Sequence, residues 1–266
     1  MLNLAIMVYQ IIVMFIPFFI VYFQLNKGRS IEKKDIISYM IFGIYLFEVF
    51  HITGSGTIYD GIYNEFRIGL GKINLLVLSR GNIFYNGVIG ILLSVIIGIS
   101  ILKYCEKKNK KTKRNFTFLY IILLIIGTLF MLVQGGSSIG YVLNVIMFIP
   151  LGFLLPFLWK SKDRIGSVLS YGFMLSLAIE ISQLLNDRTT GVDDLLMNTI
   201  GAVIGFIIFR MLKGIKKWSN NRIETYKLEP AFYIAAMFLG KFFLYNWVGV
   251  SRILNDIWHQ ICFVVM

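Results

Sequence analysis

The chain is written as long apolar runs separated by short polar breaks, and no other feature restricts its fold as much. Eight runs stand out, at 4–25, 36–52, 83–102, 116–134, 139–159, 165–185, 195–212 and 231–250. Their lengths lie near the roughly 20 residues an α-helix needs to cross a bilayer. A segment in lipid must satisfy its backbone groups internally, so runs of this kind fold as helices. Charged residues make up only 15% of the sequence and the mean hydropathy is +0.75, whereas soluble domains carry about 25% charge. The expected class is all-α: a polytopic transmembrane helical bundle of about eight spans in the cell membrane. Residues 1–26 lack the basic start of a signal peptide and read as the first span.

Charge orients these runs. The net charge is +12, and twenty of the 26 Lys and Arg fall in 27–35, 103–114, 160–164 and 210–229. Alternating runs place those four segments on one side, which the positive-inside rule makes cytoplasmic, with both termini outside. Basic stretches such as 106–114 (EKKNKKTKR) suit the anionic headgroups of that leaflet. The aromatic interleaving or groove-reading pattern of a nucleic-acid binder is missing, so membrane lipids rather than nucleic acid are the expected partners. Lys241 stands inside the last run, where it either snorkels or marks a misread boundary. Cys105 and Cys262 fall on opposite sides and cannot pair within one chain. No Cys or His spacing suits a metal, and no cofactor is expected.

Three regions follow from this topology. Residues 1–135 hold the N-terminal helices with an outer loop at 53–82, in which the apolar run 73–78 lies in the interface or dips into the bundle. Residues 136–212 hold a core of three helices. Residues 213–266 hold a basic cytoplasmic loop, the last span and a short outer tail.

Within this apolar frame one carboxylate is conspicuous. A charged side chain at membrane depth costs several kcal/mol, so Glu180 is expected to face protein or a wet cavity. At 1.5 Å rise per residue, Glu180 and Asn144 lie roughly 7 Å below the outer ends of their spans, Glu48 roughly 6 Å and Asn198 roughly 5 Å. Ser176, Glu180, Gln183 and Asp187 follow helical spacing as one stripe, and Asp194, Asn198, Gly201 and Gly205 form a second. The pair Gly201 and Gly205 is the small-residue spacing that lets membrane helices approach closely. Pro150 and Pro156, with Gly152 between them, each remove a helical hydrogen bond from the preceding span. A short echo links Glu48 and His51 to Glu180 and Gln183, each pair preceding a polar loop.

The combination 144–156 (NVIMFIPLGFLLP), 176–183 (SLAIEISQ), Arg188 with Asp193 and Asp194, and 198–205 (NTIGAVIG) resembles the VanZ-like family, and 73–76 (INLL) looks like its outer-loop element. The core resemblance covers about a quarter of the chain. It implies a small polytopic bundle at the cell surface, associated with reduced susceptibility to teicoplanin-type lipoglycopeptides. One position departs from the pattern: Gly191 stands where members carry an acidic residue three positions before the one matching Asp194.

Three classes of function are open at this point. The first is a binding protein whose outer-leaflet pocket takes a lipid-linked cell-wall precursor or a lipoglycopeptide. There Arg188 meets a phosphate or carboxylate, Asn144, Gln183 and Asn198 meet sugar or amide groups, and Glu180 and Asp194 meet an amine or hold Arg188, with Asp193 at the loop beside them. The second is a membrane hydrolase or transferase acting on a lipid headgroup, with Glu180 as general base and Asp193 and Asp194 holding a divalent cation. The third is a transporter, which the echo would favour.

Overall fold

A computed structural model describes residues 2–29, 33–68, 71–75, 82–105, 107–133, 137–213 and 228–265. The basic stretch 214–227, most of the apolar run after Leu75 and the side chain of Cys262 lie outside the described residues. The helices are α1 (Leu2–Leu25), α2 (Lys33–Thr53), α3 (Ile58–Tyr63), α4 (Asn82–Cys105), α5 (Lys110–Val133), α6 (Ser137–Leu158), α7 (Ile165–Gln183), α8 (Val192–Lys213), α9 (Glu229–Leu239) and α10 (Trp247–Val265). Two strands of two residues each, β1 (Ile73–Asn74) and β2 (Thr190–Gly191), are the extended segments among the described residues. The all-α class therefore holds.

Five segments are long and apolar enough to cross a membrane: Asn3–Leu25, Asp35–Tyr63, Ile139–Leu158, Ile165–Gln183 and Val192–Lys213. Their outward faces are oily. Ile12, Ile16, Ile20 and Phe23 form one exposed stripe on α1, and Ile37, Ile41, Ile44 and Ile52 form another on α2. In water such stripes would drive association; in a bilayer they face chemically similar tails.

The last apolar run differs from the single span expected at 231–250. Helix α9 passes into a π-helical turn, Gly240–Leu244, breaks at Tyr245 and Asn246, and resumes as α10 at a bend of 49°. Gly240 lets α1 pack closely against this turn, because a Cβ there would lie 2.6 Å from the carbonyl oxygen of Val13. Asn246 then starts the new helix, its Oδ1 accepting the Gly249 N–H at 2.9 Å. Counted as one broken span, this pair is a sixth candidate, and the expected tail is helical through Val265.

The chain divides into two compact units that interleave along the sequence. The first comprises Met1–Lys72, Ile179–Thr190 and Leu228–Met266. Its centre is aromatic: Tyr233 lies 5.0 Å from Phe18 and 5.2 Å from Tyr39, ring centre to ring centre. At the same level the wholly buried Glu229 accepts a hydrogen bond from Tyr39 at 2.6 Å, with Arg29 at 3.7 Å.

The second unit comprises Ile73–Ala178 and Gly191–Lys227, with α6 against α8 as its most extensive contact. Tyr141, Val145, Met197, Ile200 and Ile204 form one apolar cluster, and Tyr120, Val203, Ile207 and Met211 a second that reaches α4 and α5. Backbone meets backbone between α6 and α8. A Cβ on Gly201 would stand 2.2 Å from the Val145 oxygen, and one on Gly205 2.0 Å from the Ile149 oxygen. From the other side, a Cβ on Gly152 would stand 1.8 Å from the Ala202 oxygen. Helix α6 runs unbroken through Pro150 and Pro156.

The contact predicts its own failure. Gly201→Leu should separate α6 from α8 and lower stability by about 3 kcal/mol or more, beyond ordinary overpacking because backbone must move. Gly127→Leu, on open surface of α5, should leave the melting temperature in detergent nearly unchanged. Equal melting temperatures for the two variants would contradict the packing.

Candidate functional site

Polar side chains of the second unit gather where α8 begins. Asp193 and Asp194 occupy its first turn, where the unpaired backbone amides and the helix dipole favour negative charge. Helix α6 supplies the partners from one face, three residues apart. Asn144 donates through Nδ2 to Asp194 Oδ1 at 2.7 Å, and the Tyr141 hydroxyl donates to Asp193 Oδ2 at 3.2 Å. One turn along α8, the buried Asn198 donates through Nδ2 to Ser176 Oγ of α7 at 2.9 Å. Its Oδ1 is also buried and has no hydrogen-bond partner among the described residues. The arrangement is rich in acceptors, and a hydroxyl, amide or amine donor would complete it.

The remaining expected site residues belong to the first unit, at the end of α2. A helix C-terminus leaves carbonyls without intrahelical donors, and here side chains supply them. Gln183 donates through Nε2 to the Thr53 oxygen at 2.7 Å, and Asn186 through Nδ2 to the Gly54 oxygen at 3.0 Å. Lys241 donates through Nζ to the Phe50 oxygen. Gly54 turns the chain with φ at +61°, a conformation costly for other residues. The Arg188 guanidinium lies against it, since a Cβ on Gly54 would meet Arg188 Nε at 2.7 Å. Lys241 and Arg188 thus bring positive charge to the negative end of the α2 dipole.

Gln183 is accordingly a helix cap in this unit, with its Oε1 buried and lacking a hydrogen-bond partner among the described residues. Glu180 is buried, one turn before it. The expected stripe stops at Gln183, because α7 ends there; Asp187 lies in the following turn and is exposed. Glu48 is exposed among Ile41, Ile44 and Ile52, unlike the buried Glu180 with which the sequence echo paired it. His51 is held by Gln10, with Nδ1 at 2.9 Å from Oε1.

Two elements of this region were not legible as site features. Lys241 does not snorkel: it is 4% exposed and sits in the π-helical turn, a distortion frequent at functional positions. Ser182 binds the loop after α2, its Oγ accepting the Gly56 N–H at 3.0 Å. Helical spacing from Glu180 points away from Ser182, which is why the stripe misses it. Among the described residues, no group of three or more His, Cys, Asp or Glu is placed to hold a metal ion.

Long apolar helices with oily outer faces, and carboxylate and amide groups collected at helix ends, define an all-α membrane protein. Residues 83–213, about half of the chain, match the VanZ/LLP1 family. The protein is VanZ-like through that stretch, which runs from α4 to the end of α8. Comparison with curated proteins and with solved structures gave no match.

The capping role of Lys241 can be separated from a functional one. The Phe50 oxygen also accepts from Ser55 Oγ at 3.3 Å, so Lys241→Met keeps the length and removes a buried amine without leaving that carbonyl bare. The unfolding free energy should change by less than about 1 kcal/mol, or rise. Lys241→Glu, placing an anion at a helix C-terminus, should cost several kcal/mol. Severe destabilisation by methionine in detergent melting experiments would show that the cap itself is indispensable.

Proposed function

We propose that this membrane VanZ-like protein binds a lipid-linked cell-envelope component, or a lipoglycopeptide, at the outer ends of its helices and thereby lowers susceptibility to teicoplanin-type antibiotics. In this reading the chain is a multi-pass protein of the cell membrane with eight spans and both termini outside. The observation that carries it is the open acceptor at Asn198 Oδ1, one helical turn from the Asn144–Asp194 pair. A buried polar atom left without a partner costs about 1–3 kcal/mol, so a ligand hydroxyl or amide that fills it gains affinity. Sugars and peptide amides of wall precursors and lipoglycopeptides present such donors. In the first unit, taken by itself, the exposed Arg188 carries a guanidinium suited to a phosphate or carboxylate.

Binding of purified protein to lipid-linked wall precursors and to teicoplanin-like lipoglycopeptides tests the reading, beside antibiotic susceptibility of expressing cells. Arg188→Lys keeps the charge and loses the two-pronged geometry, and should weaken binding by about 1–3 kcal/mol. Asn198→Leu should weaken it while leaving Arg188 in place. Glu180→Gln should abolish protection with protein level and insertion near normal. Parental binding and protection by all three variants would sink the proposal.

A further inference from the structure

The second unit contains a cavity far along α8 from Asn198, at the other end of the helix. It has a volume of about 600 Å³ and is lined by the last turns of α4 and α8, the first turns of α5 and the start of α7. Five cationic side chains line it, Lys103, Lys113, Arg164, Arg210 and Lys213, against one carboxylate among the described residues, that of Asp163. That carboxylate is engaged: Arg210 Nη1 lies 3.2 Å from one oxygen, and Lys213 binds the other. The ion pairs fix two of the cations in place, and Lys103 and Arg164 add positive charge to the lining outside those pairs.

The floor has the opposite chemistry. Ile99, Leu102, Phe206 and Met211 are apolar. Ile165 continues that surface outward at 42% exposure, and Leu169 follows one turn along α7 at 45%. A soluble anion would use the rim and leave this apolar track empty. A lipid would use both, with its phosphate among the cations and an acyl chain along Ile165 and Leu169. All five cations come from segments whose lysine and arginine content marks the cytoplasmic side, where anionic lipids concentrate.

We propose that this cavity is a binding site for a phosphate group, and that its source is an anionic phospholipid of the cytoplasmic leaflet. It is separate from the outer-end polar cluster and does not depend on the ligand proposed there. Bound here, the headgroup would bridge α4, α5, α7 and α8, so lipid binding and stability of the unit are coupled.

Native mass spectrometry of the full chain in mild detergent tests this, with phosphatidylglycerol, phosphatidylcholine of equal chain length and inorganic phosphate as separate probes. Lys103 and Arg164 stand apart from the Asp163 ion pairs, so K103Q with R164Q is the informative double variant. It should lower phosphatidylglycerol binding roughly thirtyfold, the effect of two surface cations. R67Q with K72Q removes equal charge from exposed residues outside the cavity and outside the basic segments, and should change binding less than about twofold. The charge-preserving pair K103R with R164K should bind like the parent, which separates lost charge from lost fold. Three results would each overturn the proposal: equal loss in the cavity and control doubles, equal retention of phosphatidylcholine, or inorganic phosphate displacing the lipid at matching concentration.

Discussion

The close approach of α6 to α8 is the contact on which the VanZ-like half of the protein depends. In lipid there is no hydrophobic gain from pressing two oily helices together, so association rests on packing and on interhelical hydrogen bonds. Gly201, Gly205 and Gly152 remove the side chains that would keep the backbones apart. Once they meet, Asn144 and Tyr141 of α6 come level with Asp194 and Asp193 of α8. The polar bonds are thus a consequence of the apolar ones: tight packing along the helices fixes the reach of the side chains at their ends. The same rigid pair carries Arg210 and Lys213 at the opposite end of α8, beside Asp163.

In the first unit a different constraint governs, the unsatisfied carbonyls where α2 stops. Gln183, Asn186 and Lys241 are drawn from distant parts of the chain to supply donors there. This gives some of the expected ligand contacts a structural duty. Gln183 uses its amide nitrogen on Thr53, leaving only its Oε1 for another partner. Asn198 is similarly divided, one end on Ser176 and the other open. Each of these amides is held by one bond while its other polar atom is buried without a hydrogen-bond partner among the described residues.

Much of this was legible in the sequence. Run length and low charge set the helical class, because lipid leaves the backbone no other solution, and the pairing of glycines four apart announced where two helices would touch. The asparagine and aspartate positions 144, 194 and 198 lie on α6 and α8 as helical spacing requires. What could not be read was where helices end. Asp187 looked like the fourth member of a stripe, yet α7 stops at Gln183, so periodicity was extended past the structure that supports it. The break at Tyr245 and Asn246 was not placed within the run 231–250, where Lys241 signalled a boundary but composition does not record a π-helical turn. Nor does a sequence show that Gln183 serves a carbonyl 130 residues earlier in the chain.

Orientation joins the two proposed sites, since one needs the outer face and the other the cytoplasmic leaflet. Single cysteines placed at Thr189 and Lys111, both exposed, in a background with Cys105 and Cys262 changed to serine, test it in intact cells. A membrane-impermeant thiol reagent should label position 189 at once and position 111 only after the membrane is opened. Labelling of position 111 from outside, with position 189 protected, would contradict the account.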